Sequence, residues 1–350
     1  MDVFGYIILN GHYTFEEKEF NEVDNIILSS LMYLDFTRIV QTGNIGISLH
    51  DAGHIYLETN KRKDIYKLGI AQISAYRILE SVIDTNRYKN INLSSYRYIT
   101  GLDTQFSALT FNINKSLKYI GFEGTDELIS GWKEDAYLSF KFPVDAQKYA
   151  IDYIKEVIKF RDKNIIIGGH SKGGNLALVA GMYTNPLFKR KIKQIISNDG
   201  PGLRKEEFIS RRYKSIRNKY THIIPSNSLI GTLLYNDTYK AVKTNKRSIL
   251  AHDLTTWLID GEHFIESPRD KRSLEVEKKL NEYISSLSYK EQEMVVKSIF
   301  KELEQEGLNT VSDLFKFRKL LNIVRKLNNI NPKCKSILIE VLEIIINNYI

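Results

Sequence analysis

The sequence predicts a mixed α/β fold in which a mostly parallel sheet is covered by helices on both faces. Between residues 96 and 268, short apolar runs alternate with segments of helical periodicity. Such alternation produces parallel sheets because each crossover helix returns the chain to the same sheet edge. A glycine-rich turn joins one predicted strand to a helix near residue 170, and helical patterns without strands occupy both ends of the chain.

The chain divides into three predicted regions. We expect an N-terminal helical region over residues 1–95, an α/β core over 96–268 and a C-terminal helical region over 269–350. A length of 350 residues accommodates one sizeable core with accessory helices. In the first region, Thr14 and Glu17 have capping-box spacing, and apolar residues follow at helical spacing. This segment is therefore predicted as an amphipathic helix packed on the rest of the protein.

The elements of the core and of the C-terminal region are predicted from periodicity. The predicted strands are residues 105–113, 117–122, 164–169, 193–199 and 220–225. The predicted core helices are residues 145–160, 175–183 and 205–218. Further apolar stripes at helical spacing follow at residues 273–287, 290–307, 311–327 and 336–350.

Composition and charge exclude several classes of protein. The formal net charge of +8 comes from basic residues spread along the chain, which favours a solvated surface over a nucleic-acid site. The only cysteine, Cys334, cannot form an internal disulfide, which favours a reducing compartment. The N-terminus lacks the basic segment of a signal peptide, and Glu340 and Glu343 interrupt the most apolar later stretch. We therefore expect a cytoplasmic protein without a membrane span.

The strongest catalytic signal is the sequence Gly169-His170-Ser171-Lys172-Gly173. It lies between a buried strand and a helix, which is the order of a nucleophile elbow. In such an elbow the serine occupies a strained turn, and the flanking glycines leave room for neighbouring backbone. Backbone N–H groups at the helix start face the place where an oxyanion forms. Ser171 is therefore the candidate nucleophile, and Lys172 supplies the first oxyanion donor.

Two other interpretations of this turn are open. Glycine-rich turns between a strand and a helix bind phosphate in nucleotide-binding proteins, but this turn lacks the spacing of a P-loop and of a dinucleotide fingerprint. The same residues also suit a plain turn in a hydrolase fold without activity. The partners of the serine decide between these interpretations.

The candidate general base is His252. In α/β-hydrolases the acid and then the histidine follow the nucleophile in the chain. The histidines after Ser171 are His222, His252 and His263. His222 lies inside an apolar strand, whereas His252 follows the last predicted strand, where a loop can cross the carboxyl edge of the sheet. His263 is the reserve candidate.

The candidate acid is Asp199. It ends a predicted strand beside the serine strand, and ligand-facing residues of open α/β sheets gather at that edge. Asp237 and Asp253 are alternatives. Asp199 also precedes Gly200, so a role in turn formation explains it almost as well.

A resemblance to a known bacterial family is carried by five segments: GFEGTDELISGWKEDAYLSF, GGHSKGGNLA, NDGPG, IIPSNSLIG and AHDLTTW. They closely resemble the Mbeg-like family, whose members are related to α/β-hydrolases. The likeness includes residues 20–36 and 105–111, so it covers most of residues 20–265. It implies an α/β-hydrolase-like core.

The same segments more distantly resemble class 3 lipases. This resemblance implies that Thr125 supplies the second oxyanion donor and that Trp132 and Asp135 belong to a structural motif after that loop. The chain departs from the lipases at Glu123, where they carry arginine, and at Ser228, where they carry the catalytic aspartate. The second departure leaves open which carboxylate completes a triad.

These features together predict a serine hydrolase of the lipase or esterase type that cleaves a carboxylic ester through an acyl-enzyme. The expected partner is a small-molecule or lipid ester, and no metal, organic cofactor or nucleic acid is expected. The alternative is a protein that keeps the hydrolase scaffold and binds a partner or a membrane surface. Residues 316–327 place basic side chains around an apolar stripe, which suits an interfacial helix as well as a helix of an ordinary bundle.

Overall fold

In the part of the chain that the structure describes, eight strands form one sheet, and their spatial order equals their order in the chain. The computed structural model describes residues 1–305 except 44, 66–67, 102–103 and 126–128, together with residues 324–325, 332, 335–336 and 339. The strands of the sheet are β1 (Ile47–Ser48), β2 (Asn92–Gly101), β3 (Thr104–Asn112), β4 (Leu117–Phe122), β5 (Asn164–His170), β6 (Ile192–Asn198), β7 (Tyr220–Pro225) and β8 (Lys240–Val242). A separate hairpin contains β9 (Ile259–Asp260) and β10 (His263–Phe264).

The sheet has an antiparallel part and a parallel part. Strands β1 to β4 pair antiparallel, and β4 to β8 pair in parallel. The predicted mixed α/β class with its mostly parallel sheet is confirmed. Strand β2 was not predicted, because Ser94 and Ser95 interrupt its apolar pattern at a bulge where the pairing with β3 shifts register.

Helices cover both faces of the sheet. They are α1 (Val3–Asn10), α2 (Glu22–Leu31), α3 (Leu49–Thr59), α4 (Arg62–Ile65), α5 (Ile70–Val82), α6 (Ile129–Tyr137), α7 (Asp145–Val157), α8 (Lys172–Tyr183), α9 (Pro186–Lys189), α10 (Lys205–Phe208), α11 (Arg211–Lys214), α12 (Lys271–Ser286) and α13 (Tyr289–Gln305). In β5, Ile166 belongs to the core that includes α2 and α5, whereas Ile165 and Ile167 belong to the core that includes α7 and α8. Successive residues of one strand thus serve opposite faces.

The N-terminal helix differs from its prediction. Thr14 and Glu17 do form reciprocal hydrogen bonds, but these close a short turn. Helix α2 begins later, with its own capping box of Asn21 and Asp24. Every residue of α2 after the first is buried, because the helix lies between β5 and α5. It is therefore buried on all sides and is not amphipathic.

The helix predicted at residues 205–218 is also wrong in part. The segment forms α10 and α11, which are separated by a short break. The break occurs at Ser210, whose hydroxyl accepts a hydrogen bond from the N–H of Tyr213 and so caps a new helix.

The C-terminal region contains α12 and α13, which confirm the helices predicted at residues 273–287 and 290–307. The predicted helices at residues 311–327 and 336–350, together with Cys334, lie outside the described residues apart from isolated positions. The division of the chain near residues 95 and 268 stays a prediction. Among the helices of the described segments, none combines the length and the apolar character needed to cross a bilayer.

Candidate active site

Ser171 lies in a sharp turn between β5 and α8. Its backbone has φ 56° and ψ −129°, and a positive φ is uncommon for a residue with a side chain. The N–H of Ser171 donates to the Asn198 carbonyl at 2.9 Å, and the N–H of Gly174 donates to the Ser171 carbonyl at 2.9 Å. Strained backbone of this kind persists where its surroundings enforce it, and it gathers at functional sites. Strand, strained serine and helix follow one another as in a nucleophile elbow.

Two glycines permit this turn. A Cβ atom at Gly173 would lie 2.2 Å from the carbonyl oxygen of Phe122, and a Cβ atom at Gly169 would lie 2.4 Å from the carbonyl carbon of Gly173. Both distances are far below van der Waals contact, and the atoms in the way belong to the backbone. The flanking glycines of the motif are therefore required by close approach of the neighbouring chain.

His252 and Asp199 are in direct contact. Nδ1 of His252 lies 2.6 Å from Oδ2 of Asp199. A carboxylate only accepts hydrogen bonds, so Nδ1 carries a proton, and in the neutral ring Nε2 then has the lone pair. The side chain of Asp199 is 1% exposed and that of His252 is 19% exposed, so the acid is enclosed while the imidazole is partly open to solvent. This orientation of the imidazole suits a general base.

The second oxygen of Asp199 is also held. Oδ1 accepts hydrogen bonds from the Ser228 hydroxyl and from the Gly231 N–H, the latter at 3.0 Å. Ser228 is the residue that the resemblance to class 3 lipases matches with their catalytic aspartate. Here it supports a carboxylate that comes from the end of β6, one strand earlier in the chain. Asp199 itself has φ 50°, so both it and Ser171 adopt unusual backbone conformations.

The alternative acids are engaged elsewhere. Asp237 accepts a hydrogen bond from the Tyr213 hydroxyl at 2.6 Å and forms an ion pair with Arg217. Asp253 accepts a hydrogen bond from the Ser74 hydroxyl at 2.9 Å and caps a short 3₁₀ turn. Neither contact involves an imidazole of the candidate site.

The other candidate bases make no hydrogen bond to Asp199 among the described contacts. His222 is buried in β7, where burial lowers the pKa of the imidazole to about 4, although the nearby Asp199 opposes this shift. His263 has a side chain that is 77% exposed, and its Nδ1 lies 3.5 Å from Glu22. Of the histidines considered from the sequence, His252 is the one whose ring contacts the favoured acid.

His170 contacts His252 and was not among the site residues predicted from the sequence. Its Nε2 donates to the His252 carbonyl at 2.9 Å, and its Nδ1 accepts from the Tyr33 hydroxyl at 2.7 Å. The rings of His170 and His252 also lie against each other, with centroids 4.3 Å apart. Burial, together with the nearby His252, holds the pKa of His170 well below its ordinary value, so this ring stays neutral. The feature of the sequence that could have indicated this contact is the position of His170 directly before Ser171 in the elbow motif.

We expect His170→Phe to lower kcat for ester hydrolysis by about 10- to 100-fold, because small misplacement of a catalytic group costs roughly this much. Phenylalanine keeps an aromatic ring beside His252 but cannot donate to its carbonyl. Steady-state kinetics with a chromogenic ester measure kcat and KM separately, and Tyr33→Phe, which removes the other hydrogen bond of His170, should reduce kcat less. An unchanged kcat in His170→Phe would show that His252 is held without this bond.

Lys172 begins α8 directly after the serine. Its backbone N–H is one of the donors that a helix start leaves without an intrahelical partner. The side chain points into the protein, where Nζ donates to the Gln105 carbonyl at 3.0 Å and lies 3.2 Å from Oε2 of Glu134. Both side chains of this ion pair are buried. The buried pair anchors the first turn of α8, and with it the donor predicted for an oxyanion.

Thr125 lies on the loop after β4, which packs against the elbow. A Cβ atom at the neighbouring Gly124 would lie 3.1 Å from Cβ of Ser171. The Thr125 hydroxyl donates to Oδ2 of Asp135 at 2.6 Å. Burial raises the pKa of Asp135 to about 6, although the nearby Lys172 opposes this shift. The loop thus lies where the resemblance to lipases implies a second donor, and Glu123 at its start is buried.

A cavity of about 340 Å³ adjoins the elbow. Ser171 and Lys172 contribute to its lining, as do Trp132 and Asp135 of α6. Most of the remaining wall is apolar and comes from α12 and α13. Side chains of this helix pair include Leu280, Tyr283, Ile284, Val295, Ile299 and Phe300. The C-terminal helices therefore lie over the candidate nucleophile and line an apolar space beside it.

Comparison with known proteins shows a family match and a weak likeness to a solved structure. A family model described as Mbeg1-like matches residues 82–301. Among solved structures, the chain is similar to the crystal structure of M37 lipase at 14% sequence identity and a TM-score of 0.33, over 59% of this chain and 68% of that chain. No curated protein matches the chain. The matched residues include Ser171, Asp199 and His252, and they extend through α12 into α13.

Proposed function

Since the chain belongs to the Mbeg1-like family, whose model spans the elbow and its neighbours, we propose that it is a serine hydrolase of the lipase or esterase type. Ser171 is the nucleophile, His252 the general base and Asp199 the acid that orients it. The contact between His252 and Asp199, beside a strained serine flanked by glycines, carries this proposal. A plain turn needs neither the strain nor a paired imidazole.

The reaction is acyl transfer from an ester to water. Oγ of Ser171 attacks the ester carbonyl carbon while Nε2 of His252 takes the hydroxyl proton. The backbone N–H groups of Lys172 and Thr125 hold the negative oxygen of the tetrahedral intermediate. Collapse of this intermediate breaks the ester C–O bond, and His252 returns the proton to the departing alcohol. Water then attacks the acyl-serine by the same route, which releases the carboxylic acid and restores the serine.

The cavity suggests an apolar substrate. Its walls from α12 and α13 offer aliphatic and aromatic side chains, which favour the transfer of hydrocarbon out of water. The reacting carbonyl must lie next to Ser171, so the chain attached to it extends along these helices. The proposed substrate class is therefore an ester with an apolar acyl or alkyl chain, which includes lipid esters.

Labelling with a fluorophosphonate tests the proposed nucleophile. Intact mass should show one adduct on the wild type, no adduct on Ser171→Ala and strongly slowed labelling of His252→Ala. Ser139→Ala is the matched control, because Ser139 lines the same cavity and should leave labelling unchanged. The experiment is run with and without detergent, since α12 and α13 cover the site. A wild type that stays unlabelled in both conditions, or an adduct that persists in Ser171→Ala, would refute the proposal.

A further inference from the structure

Two histidines and an aspartate converge where α3 lies beside the end of α5. His50 and His54 are one helical turn apart on α3, and Asp84 follows α5. Nε2 of His54 lies 3.1 Å from Oδ1 of Asp84, and Nε2 of His50 lies 3.4 Å from the same oxygen. One ligand atom from each residue lies within 4.8 Å of the other two. Residues four apart share a helix face, so α3 directs both imidazoles to one point.

These separations suit a tetrahedral metal site. Zinc binds imidazole nitrogen at about 2.0–2.1 Å and carboxylate oxygen at about 2.0–2.2 Å. Two such ligands at the tetrahedral angle are therefore about 3.3–3.5 Å apart. The observed distances of 3.1 and 3.4 Å between the imidazole nitrogens and Oδ1 of Asp84 are close to this value. All three ligand atoms lie within 4.8 Å of one another, so rotation of the side chains about their own bonds would bring them onto one ion.

A second layer of contacts orients His50. Its Nδ1 lies 3.0 Å from Oδ1 of Asp51, and Oδ2 of Asp51 accepts from the Ser48 hydroxyl at 2.7 Å. Because the carboxylate only accepts, Nδ1 carries the proton, and a neutral ring turns the lone pair of Nε2 toward Asp84. A nitrogen lone pair and a carboxylate oxygen repel each other at this distance. Either a second proton on the ring or a metal ion between the two atoms is therefore needed to make the contact favourable. Carboxylate contacts of this kind orient metal-binding imidazoles in proteins.

We propose that His50, His54 and Asp84 bind one divalent transition-metal ion, with Zn²⁺ as the ion that fits best. Two imidazoles and one carboxylate match the ligands that zinc accepts, and water completes the tetrahedron. The side chains of His50, His54 and Asp84 are 45%, 45% and 70% exposed, so the ion enters directly from solvent. The bound ion joins α3 to the segment after α5. This role is structural and does not depend on the proposed hydrolase activity.

Calorimetric titration of the chelator-treated full chain with Zn²⁺ tests this site. We expect one equivalent to bind the wild type, and the same addition should raise its Tm. His54→Ala should remove both effects. Asp51→Ala keeps all three ligands but removes the acceptor for Nδ1 of His50, and it should weaken binding by about 10- to 100-fold.

His263→Ala is the matched control, because it removes an exposed histidine that pairs with a carboxylate elsewhere. It should bind Zn²⁺ as the wild type does. Circular dichroism checks that each variant is folded, which we expect because the substituted side chains are substantially exposed. Absence of saturable binding to the wild type would overturn the proposal, and the ring protons would then account for the contacts. Undiminished binding by the His50→Ala/His54→Ala double variant would overturn it as well.

Discussion

Asp199→Asn is expected to lower kcat for ester hydrolysis by about 10⁴-fold while the protein stays folded. This is the loss that follows the same change in a Ser-His-Asp protease, where the amide favours the wrong histidine tautomer. In this chain the amide would still face Nδ1 of His252, and Ser228 and Gly231 would still face the other side of the group. The rate loss would therefore come mainly from the wrong tautomer of His252 and the missing negative charge of Asp199, and less from displaced side chains.

The measurement compares kcat, KM and Tm of Asp199→Asn with those of Asp237→Asn. Asp237 is the matched control, since its carboxylate likewise accepts a side-chain hydroxyl hydrogen bond, from Tyr213, and pairs with Arg217, while neither contact involves an imidazole of the site. Its substitution should leave kcat nearly unchanged. A kcat of Asp199→Asn within a factor of ten of the wild type would remove Asp199 from the proposed mechanism.

Asp24→Asn is expected to lower the free energy of unfolding by about 3–5 kcal/mol, the usual result of removing one partner from a buried ion pair. Both side chains of the pair between Asp24 and Arg87 are completely buried. Nε and Nη2 of Arg87 donate to the two carboxylate oxygens of Asp24 at 2.7 and 2.6 Å, and Tyr88 donates to Oδ1 at 2.6 Å. Asparagine would leave a buried guanidinium without a compensating charge.

Urea unfolding monitored by circular dichroism measures this loss. The contrast is Glu156→Gln, which breaks an ion pair with Arg97 whose side chains are 27% and 54% exposed. Exposed pairs contribute little, so that change should cost less than about 1 kcal/mol. If both substitutions lowered the free energy of unfolding equally, the buried pair of Asp24 and Arg87 would contribute no more to stability than an exposed pair.

The local parts of the site could be predicted from the sequence, because their signals lie within a few residues of one another. Ser171 needs a strand before it, a helix after it and glycines on each side, and all of these are adjacent in the chain. The positions of Asp199 and His252 followed from strand order, since parallel strands bring their carboxyl ends to one edge. The hydrogen bonds that these residues make with Ser228, Gly231 and His170 could not be predicted from strand order.

The remainder depends on long-range contacts that no short segment encodes. His170 bonds to Tyr33 and to His252, which lie 137 and 82 residues away in the chain. The full burial of α2 also escaped prediction, because its polar residues bond to the sheet. Asn25, for example, donates to the side chain of Asn198 at 2.8 Å. A polar residue in a sequence pattern predicts exposure unless the partner that satisfies it is known.

Helices α12 and α13, which lie over the candidate site, are synthesised after the rest of that site. Every strand of the large sheet, the elbow and both partners of the serine precede these helices in the chain. Synthesis runs from the N-terminus, so Ser171, Asp199 and His252 are present in the nascent chain before the two helices that supply most of the apolar wall. The apolar space beside Ser171 is therefore completed only after α13 has been made. A candidate site without this wall would offer an apolar molecule much less contact.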